Sequence, residues 1–118
     1  MNIDELSKKL YLCYSKELCY PKIKENWNMA KQGDSDAQNE VGRYYQNGIG
    51  VAKDDAEAVS WYRKAADQGH ANAQNNMGWM YQNGLGVTQD ETEAVKWYRL
   101  AAKQGNTYAQ NNLKKLTE

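Results

Sequence analysis

The stretch GWMYQNGLGV, residues 78–87, is the first place to look for chemistry, because Gly78, Gly84 and Gly86 bracket a short polar and aromatic segment. Backbone N–H groups freed by glycines can cradle a phosphate at a helix N-terminus. A phosphate loop also needs an apolar strand before it, and a Lys-Ser/Thr pair or a ribose-binding acid after it. Neither is present. Catalysis by covalent attack or by paired carboxylates asks for a nucleophile beside a base, or two acids in unequal environments. His70 is the only histidine and sits in the short connection QGHANAQ, which fits a turn or cap residue rather than a base. Asp54 and Asp90 fit helix caps. Asp34 and Asp36 flank a helix start, where carboxylates favour the positive end of the dipole; a cation site is the alternative use of that pair. Cys13 and Cys19 are the only cysteines, and on a helix they point about 120° apart, so a bridge between them is not expected. With a single histidine they cannot complete a zinc set. The expectation is therefore no catalytic residue, no metal site and no cofactor.

Composition narrows the partners. Fifteen Lys and Arg balance fifteen Asp and Glu across 118 residues, so no overall field draws nucleic acid or an acidic membrane. The apolar share is 41%, held largely in Ala, Tyr and Trp, and the mean hydropathy is −0.98. No stretch is apolar enough to span a bilayer. The N-terminal MNIDELSKKL has acids before its lysines and no apolar run behind it, unlike a secretory signal. A cytoplasmic protein, monomeric on its own, is the expectation.

The glycine stretch makes sense once its second spelling is seen: GRYYQNGIGV at residues 42–51. Shifted by 36 residues, 21 of the 36 positions from Ala37 to Asn72 are identical. A third copy begins at YAQNNL, residues 108–113. Such periods belong to stacked supersecondary units, none of which buries its apolar face alone. Ala37, Val41, Gly42 and Tyr45 recur at helical spacing, as do Ala58, Trp61, Tyr62, Ala65 and Ala66, so each unit reads as a helical hairpin. Asp54 with Glu57, and Asp90 with Glu93, have capping-box spacing. Gly69 and Gly105 close the second helices, and Gly48, Gly50, Gly84 and Gly86 turn the chain between helices. Gly42 and Gly78 lie inside the first helices, at a cost of about 1 kcal/mol each relative to Ala. Close approach of bulky Trp61 or Trp97 is the expected compensation.

The pattern A-Q-x-N-x-G-x-x-Y-x-x-G-x-G-V-x-x-D-x-x-x-A-x-x-W-Y-x-x-A-A-x-Q-G is matched in full by residues 73–105, and by 37–69 with Glu40 in place of the Asn. It resembles the Sel-like repeat (SLR), a relative of the tetratricopeptide repeat. The resemblance implies an all-α fold, an α/α solenoid of stacked hairpins that serves protein–protein contacts. About seven helices are expected in one domain over 1–118. Residues 1–35 form an N-terminal cap and degenerate repeat, 36–71 and 72–107 the two repeats, and 108–118 a C-terminal half-repeat cap. In the first part, Ile3, Leu6, Leu10 and Cys13 make a helical stripe, capped by Asn2 and Glu5 and ended near Pro21, and IKENWNMAKQG reads as a worn second helix. Lys114 and Thr117 stand where Gly78 and Tyr81 stood, a polar end suited to a terminal unit.

Positions that differ between the repeats are free of stacking duty and are the expected binding positions: Glu40/Asn76, Arg43/Trp79 and Tyr44/Met80. By resemblance to the tetratricopeptide architecture, the first helices line a concave surface. Asn39, Asn75 and Asn111 recur once per unit and suit a ladder that hydrogen-bonds an extended segment. Trp, Tyr, Arg and Met are enriched at interface centres. The expected function is a non-enzymatic module that binds one protein partner, as an inhibitor or an immunity protein against a toxin does. The alternative is a structural adaptor joining two proteins. A hydrolase is the remote alternative: secreted, cysteine-rich members of the resembled family are linked to β-lactam binding or hydrolysis, but this chain lacks their regularly spaced cysteines.

Overall fold

The computed structural model describes residues 16–117, with side chains from Pro21 onward. The helical stripe expected at Ile3, Leu6, Leu10 and Cys13 lies outside the described residues. Within them the chain is helical throughout, with six helices and no strand: α1 (Lys16–Lys31), α2 (Ser35–Asn47), α3 (Asp55–Asp67), α4 (Ala71–Asn83), α5 (Glu91–Lys103) and α6 (Thr107–Thr117). Each packs on its neighbours in chain order, which makes an α/α solenoid. Pro21, expected to end a helix, lies inside α1 instead. Its missing N–H costs one hydrogen bond in the second turn. Burial of Ile23 and Ala30 against Ala37, Val41 and Tyr44 of α2 outweighs that cost.

The connections repeat as faithfully as the helices. Gly69, with φ 93°, lets its own N–H bond the Ala66 carbonyl at 2.9 Å while the His70 N–H reaches Ala65 at 3.2 Å. That pair of bonds closes the end of α3 in the Schellman manner. Gly33 and Gly105 do the same for α1 and α5. The residue after each glycine caps the next helix: Asp34, His70 and Asn106 accept from the N–H groups of Ala37, Ala73 and Ala109. His70 is thus a cap. Asp54 and Asp90 cap α3 and α5, accepting from Glu57 and Glu93 at 3.1 Å. The reciprocal half of the capping box does not form, because the Asp54 and Asp90 N–H groups bond the carbonyls of Tyr45 and Tyr81.

Inside, the glutamine in the first turn of each repeat's first helix stitches two units. Gln38 Nε2 donates to the Ala30 carbonyl and its Oε1 accepts from Gln68 Nε2 at 2.7 Å; Gln74 repeats this with Ala66 and Gln104. Gly42 and Gly78 do admit a partner helix closely, but the bulky group is not tryptophan. A Cβ at Gly78 would stand 2.6 Å from Cδ1 and Cε1 of Tyr98, and one at Gly42 would meet the Tyr62 ring equally closely. Trp61 and Trp97 sit one residue earlier, turned about 100° away. They pack half-buried at the core edge, Trp61 edge-on to Trp27 at 5.7 Å. The two tyrosines are fully buried, and their hydroxyls donate to Gln46 and Gln82.

Candidate functional site

Four columns of the first helices share one face. Along α4 they are Asn72, Asn75, Asn76 and Trp79, at i, i+3, i+4 and i+7, and the 36-residue register sets Asp36, Asn39, Glu40 and Arg43 beside them on α2. On α6 the corresponding residues are Tyr108, Asn111, Asn112 and Lys115. A groove of about 390 Å³ runs across all three helices, lined by Asn39, Glu40 and Arg43, by Asn72, Asn75 and Asn76, and by Tyr108.

The asparagines stitch the helices together on a diagonal. Asn76 Nδ2 donates to Asn39 Oδ1 at 2.9 Å, and Asn112 Nδ2 donates to Asn75 Oδ1 at 3.1 Å. A second seam runs beside it, where His70 Nε2 meets Asp36 at 2.7 Å and Asn106 Nδ2 donates to Asn72 at 2.7 Å. Among the described residues the Nδ2 groups of Asn39 and Asn75 have no protein partner, although Asn39 is only 6% exposed. Their carbonyl oxygens are held by Asn76 and Asn112, so these donors are oriented and available to a guest. Arg43 Nη1 donates to both carboxylate oxygens of Glu40, at 2.9 and 3.0 Å, in an exposed ion pair. Two aromatics stand out of the face: Trp79, 44% exposed, and Tyr108, 71% exposed.

The sequence-based site is thus assembled in part. Asn39, Glu40, Arg43, Asn75 and Asn76 meet in the groove, and Trp79 and Asn111 lie on the same face of their helices, exposed. Tyr44 and Met80 do not belong to it: both are buried in the core. Tyr44 accepts a hydrogen bond from Asn26 at 2.6 Å, and burial pushes its phenol up from the ordinary range against the downward pull of that bond. Position 26 is occupied by Tyr62 one repeat later, in the same core cluster as Met80. The Tyr44/Met80 difference is therefore matched by a change in the opposing helix and is not freedom to bind. The asparagines also bond one another, Asn76 to Asn39 and Asn112 to Asn75, a pairing the repeat spacing did not indicate. Asn72, Asn112 and Tyr108 were missed, although the Asp36/Asn72/Tyr108 column was readable from the same register.

Among the described residues no three His, Cys, Asp or Glu side chains come together to hold a metal ion, and no helix is long and apolar enough to cross a membrane. The acids at Asp34, Asp54 and Asp90 are engaged as caps.

The fold and motifs have known relatives. The family model for the Sel1 repeat matches residues 35–70 and 71–106. The chain is similar to a Sel1 repeat protein from Oxalobacter formigenes, with 40% identity and a TM-score of 0.74 over 83% of this chain and 43% of that one. It is similar to a protective antigen of uropathogenic Escherichia coli displaying an SLR fold, with 38% identity and a TM-score of 0.76 over 93% of this chain and 27% of that one. The Helicobacter pylori cysteine rich protein B shares the fold at 21% identity and a TM-score of 0.74, over 94% and 91% of the two chains. The chain spans less than half the length of the first two structures. No curated protein matches it. Two matched repeats covering more than half of the residues place the chain in the Sel1 repeat family.

Proposed function

We propose that this chain is a non-catalytic protein-binding module whose first helices grip a segment of one protein partner. The observation that carries this reading is Tyr108, which stands 71% exposed at the edge of a groove floored by asparagines. An aromatic gains nothing for the fold in that position, since it leaves most of its apolar area in water. Contact with a guest recovers that area, and the Asn39 and Asn75 donors supply hydrogen bonds at the same place. Occupying a single partner, as an inhibitor or immunity protein does, requires only this one surface. The setting proposed is the cytoplasm, with the chain monomeric when alone. An adaptor role would need a second surface; Leu100, 46% exposed on the second helix of its unit, is the residue to test for one.

The experiment is quantitative capture of a partner from the native cytoplasm by three proteins: the wild type, a Trp79→Ala/Tyr108→Ser variant, and a Leu100→Ser variant. Hot-spot truncations cost about 2 kcal/mol or more each, so the double variant loses roughly several hundred-fold in affinity. The Leu100 variant captures normally. Full capture by the double variant with an unchanged melt would refute the reading.

A further inference from the structure

The groove of the first helices has donors to spare and few free acceptors, and that imbalance says what its guest must bring. Resting on the protein-binding reading above, we infer that the partner places a carboxylate side chain, Asp or Glu, in this groove. The amides of Asn39, Asn72 and Asn75 and the guanidinium of Arg43 donate to it.

The first argument is the hydrogen-bond inventory. Three of the lining asparagines have their oxygens taken: Asn39 Oδ1 accepts from Asn76 at 2.9 Å, Asn75 Oδ1 from Asn112 at 3.1 Å and Asn72 Oδ1 from Asn106 at 2.7 Å. The Asn72 bond has only one sense. The Asn106 oxygen is occupied by the Ala109 N–H at 2.9 Å, so Asn106 has only its Nδ2 to offer. Among the described residues the Nδ2 groups of Asn39, Asn72 and Asn75 have no protein partner. Asn39 is 6% exposed, yet its Nδ2 is not sealed in. Among the described residues the side-chain atoms both sealed from solvent and unpartnered are the indole nitrogens of Trp27 and Trp97.

The second argument is which guest group answers several donors at once. A carboxylate has two oxygens, about four acceptor sites and no donor of its own. A guest amide would set its NH2 among donors, with the Asn76 oxygen as the one amide oxygen of the groove left for it. A backbone carbonyl brings a single oxygen to three amides, and an ammonium or guanidinium group brings only more donors. Hydrogen bonds to a charged acceptor are also about twice as strong as neutral ones. Because the groove crosses three helices, a chain lying in it continues on both sides, which assigns the carboxylate to a side chain and not to a chain end.

The third argument is charge. The groove is lined by one acid, Glu40, and both its oxygens rest on Arg43 Nη1. Nε and Nη2 of Arg43 have no protein partner among the described residues, so the guanidinium keeps N–H groups for a second carboxylate. Asp36, beside the groove in the Asn72 column, is engaged by His70 Nε2 at 2.7 Å. On the α6 side of the same face Lys115 follows the Arg43/Trp79 column, with Lys114 beside it.

The test uses the whole chain, isotope-labelled for NMR, and blocked five-residue alanine peptides with glutamate, glutamine or lysine at the centre. The side-chain amide signals of Asn39, Asn72 and Asn75 are followed during titration. The glutamate peptide is expected to shift all three saturably, the glutamine peptide to bind about tenfold more weakly, and the lysine peptide to leave them in place. Asn72→Asp keeps the oxygen that accepts from Asn106 and puts an anion where the donor stood. Asp36 occupies the same column one repeat earlier, so the fold accommodates the change. The variant is expected to melt as the wild type does, to bind the glutamate peptide at least about tenfold more weakly and to gain binding of the lysine peptide. A merely structural Asn72 would not reverse the preference. Equal binding of the glutamine peptide, no saturable shift with the glutamate peptide, or an unreversed preference in a folded variant overturns the inference. The wild-type titrations decide it alone if the variant folds poorly. If a captured partner depends on Tyr108 and Trp79 while Asn72→Asp captures it undiminished, the carboxylate assignment falls and the protein-binding reading stands.

Discussion

Replacing Gly78 by alanine should destabilise the protein, although alanine is the better helix former. The new Cβ would lie 2.6 Å from two carbons of the Tyr98 ring, against an ordinary contact of 3.4 Å or more, so the ring must retreat by nearly an ångström. It has little room, being fully buried in the cluster formed with Ala94, Ala101 and Ala109. Its hydroxyl is tied to Gln82 at 2.6 Å. Overpacking of this kind costs about 1–3 kcal/mol. Stretching the hydroxyl bond adds about 1 kcal/mol, and the helix preference of alanine returns about 1 kcal/mol. The net expectation is a loss of about 1–3 kcal/mol. Urea unfolding followed by circular dichroism reads this as a midpoint lower by about 1 M, given a typical slope of 1–3 kcal/mol per molar. Shortening the opposing residue in a Gly78→Ala/Tyr98→Leu variant should cost less than the two single changes summed, because the clash is then gone. A Gly78→Ala midpoint at or above that of the wild type would refute the packing account of both helical glycines.

Two further predictions follow from the caps and the buried phenols. His70→Ala removes the acceptor for the Ala73 N–H and the contact with Asp36, and should cost about 1 kcal/mol and a few degrees of melting temperature. His70→Asn should restore most of it, since Asn106 fills the same role against Asn72 in the next unit. Burial pushes the Tyr98 phenol up to about 12 and that of Tyr62 higher still. An unfolded tyrosine releases its proton near pH 10 while the folded one keeps it, so stability is full below pH 10. It then falls by about 1.4 kcal/mol per pH unit for each such phenol between pH 10 and 12. Urea midpoints at pH 9, 10, 11 and 12 check the slope, and Tyr98→Phe should reduce it by one phenol's share.

Much of this molecule was legible because the repeat supplies its own control. The ends of the repeat helices, the glycine turns and the cap at His70 are local features, each fixed by a residue type at a set offset, and they are found where the spacing put them; the helix end expected near Pro21 is not, because tertiary burial of α1 outweighs that local signal. The errors concern which neighbour a residue meets. Trp61 and Tyr62 are adjacent in sequence, and only the rotation of α3 against α2 decides which faces Gly42. Asn39 pairs with Asn76 rather than Asn75 because contact between neighbouring helices is offset by one residue, a quantity the sequence does not carry. Tyr44 and Met80 misled for another reason: a difference between repeats marks freedom only if the opposing residue stays the same. Here Asn26 and Tyr62 had changed in step.

The central claim, that the face of the first helices holds a protein partner, is tested most directly by site-specific photocrosslinking in the cells that make the protein. A benzophenone side chain is placed at position 108, at position 79, and at position 100 on the second helix of its unit. The account predicts a single adduct of the same added mass from 108 and 79, and none from 100. An adduct from 100 with none from 108 or 79 would contradict it.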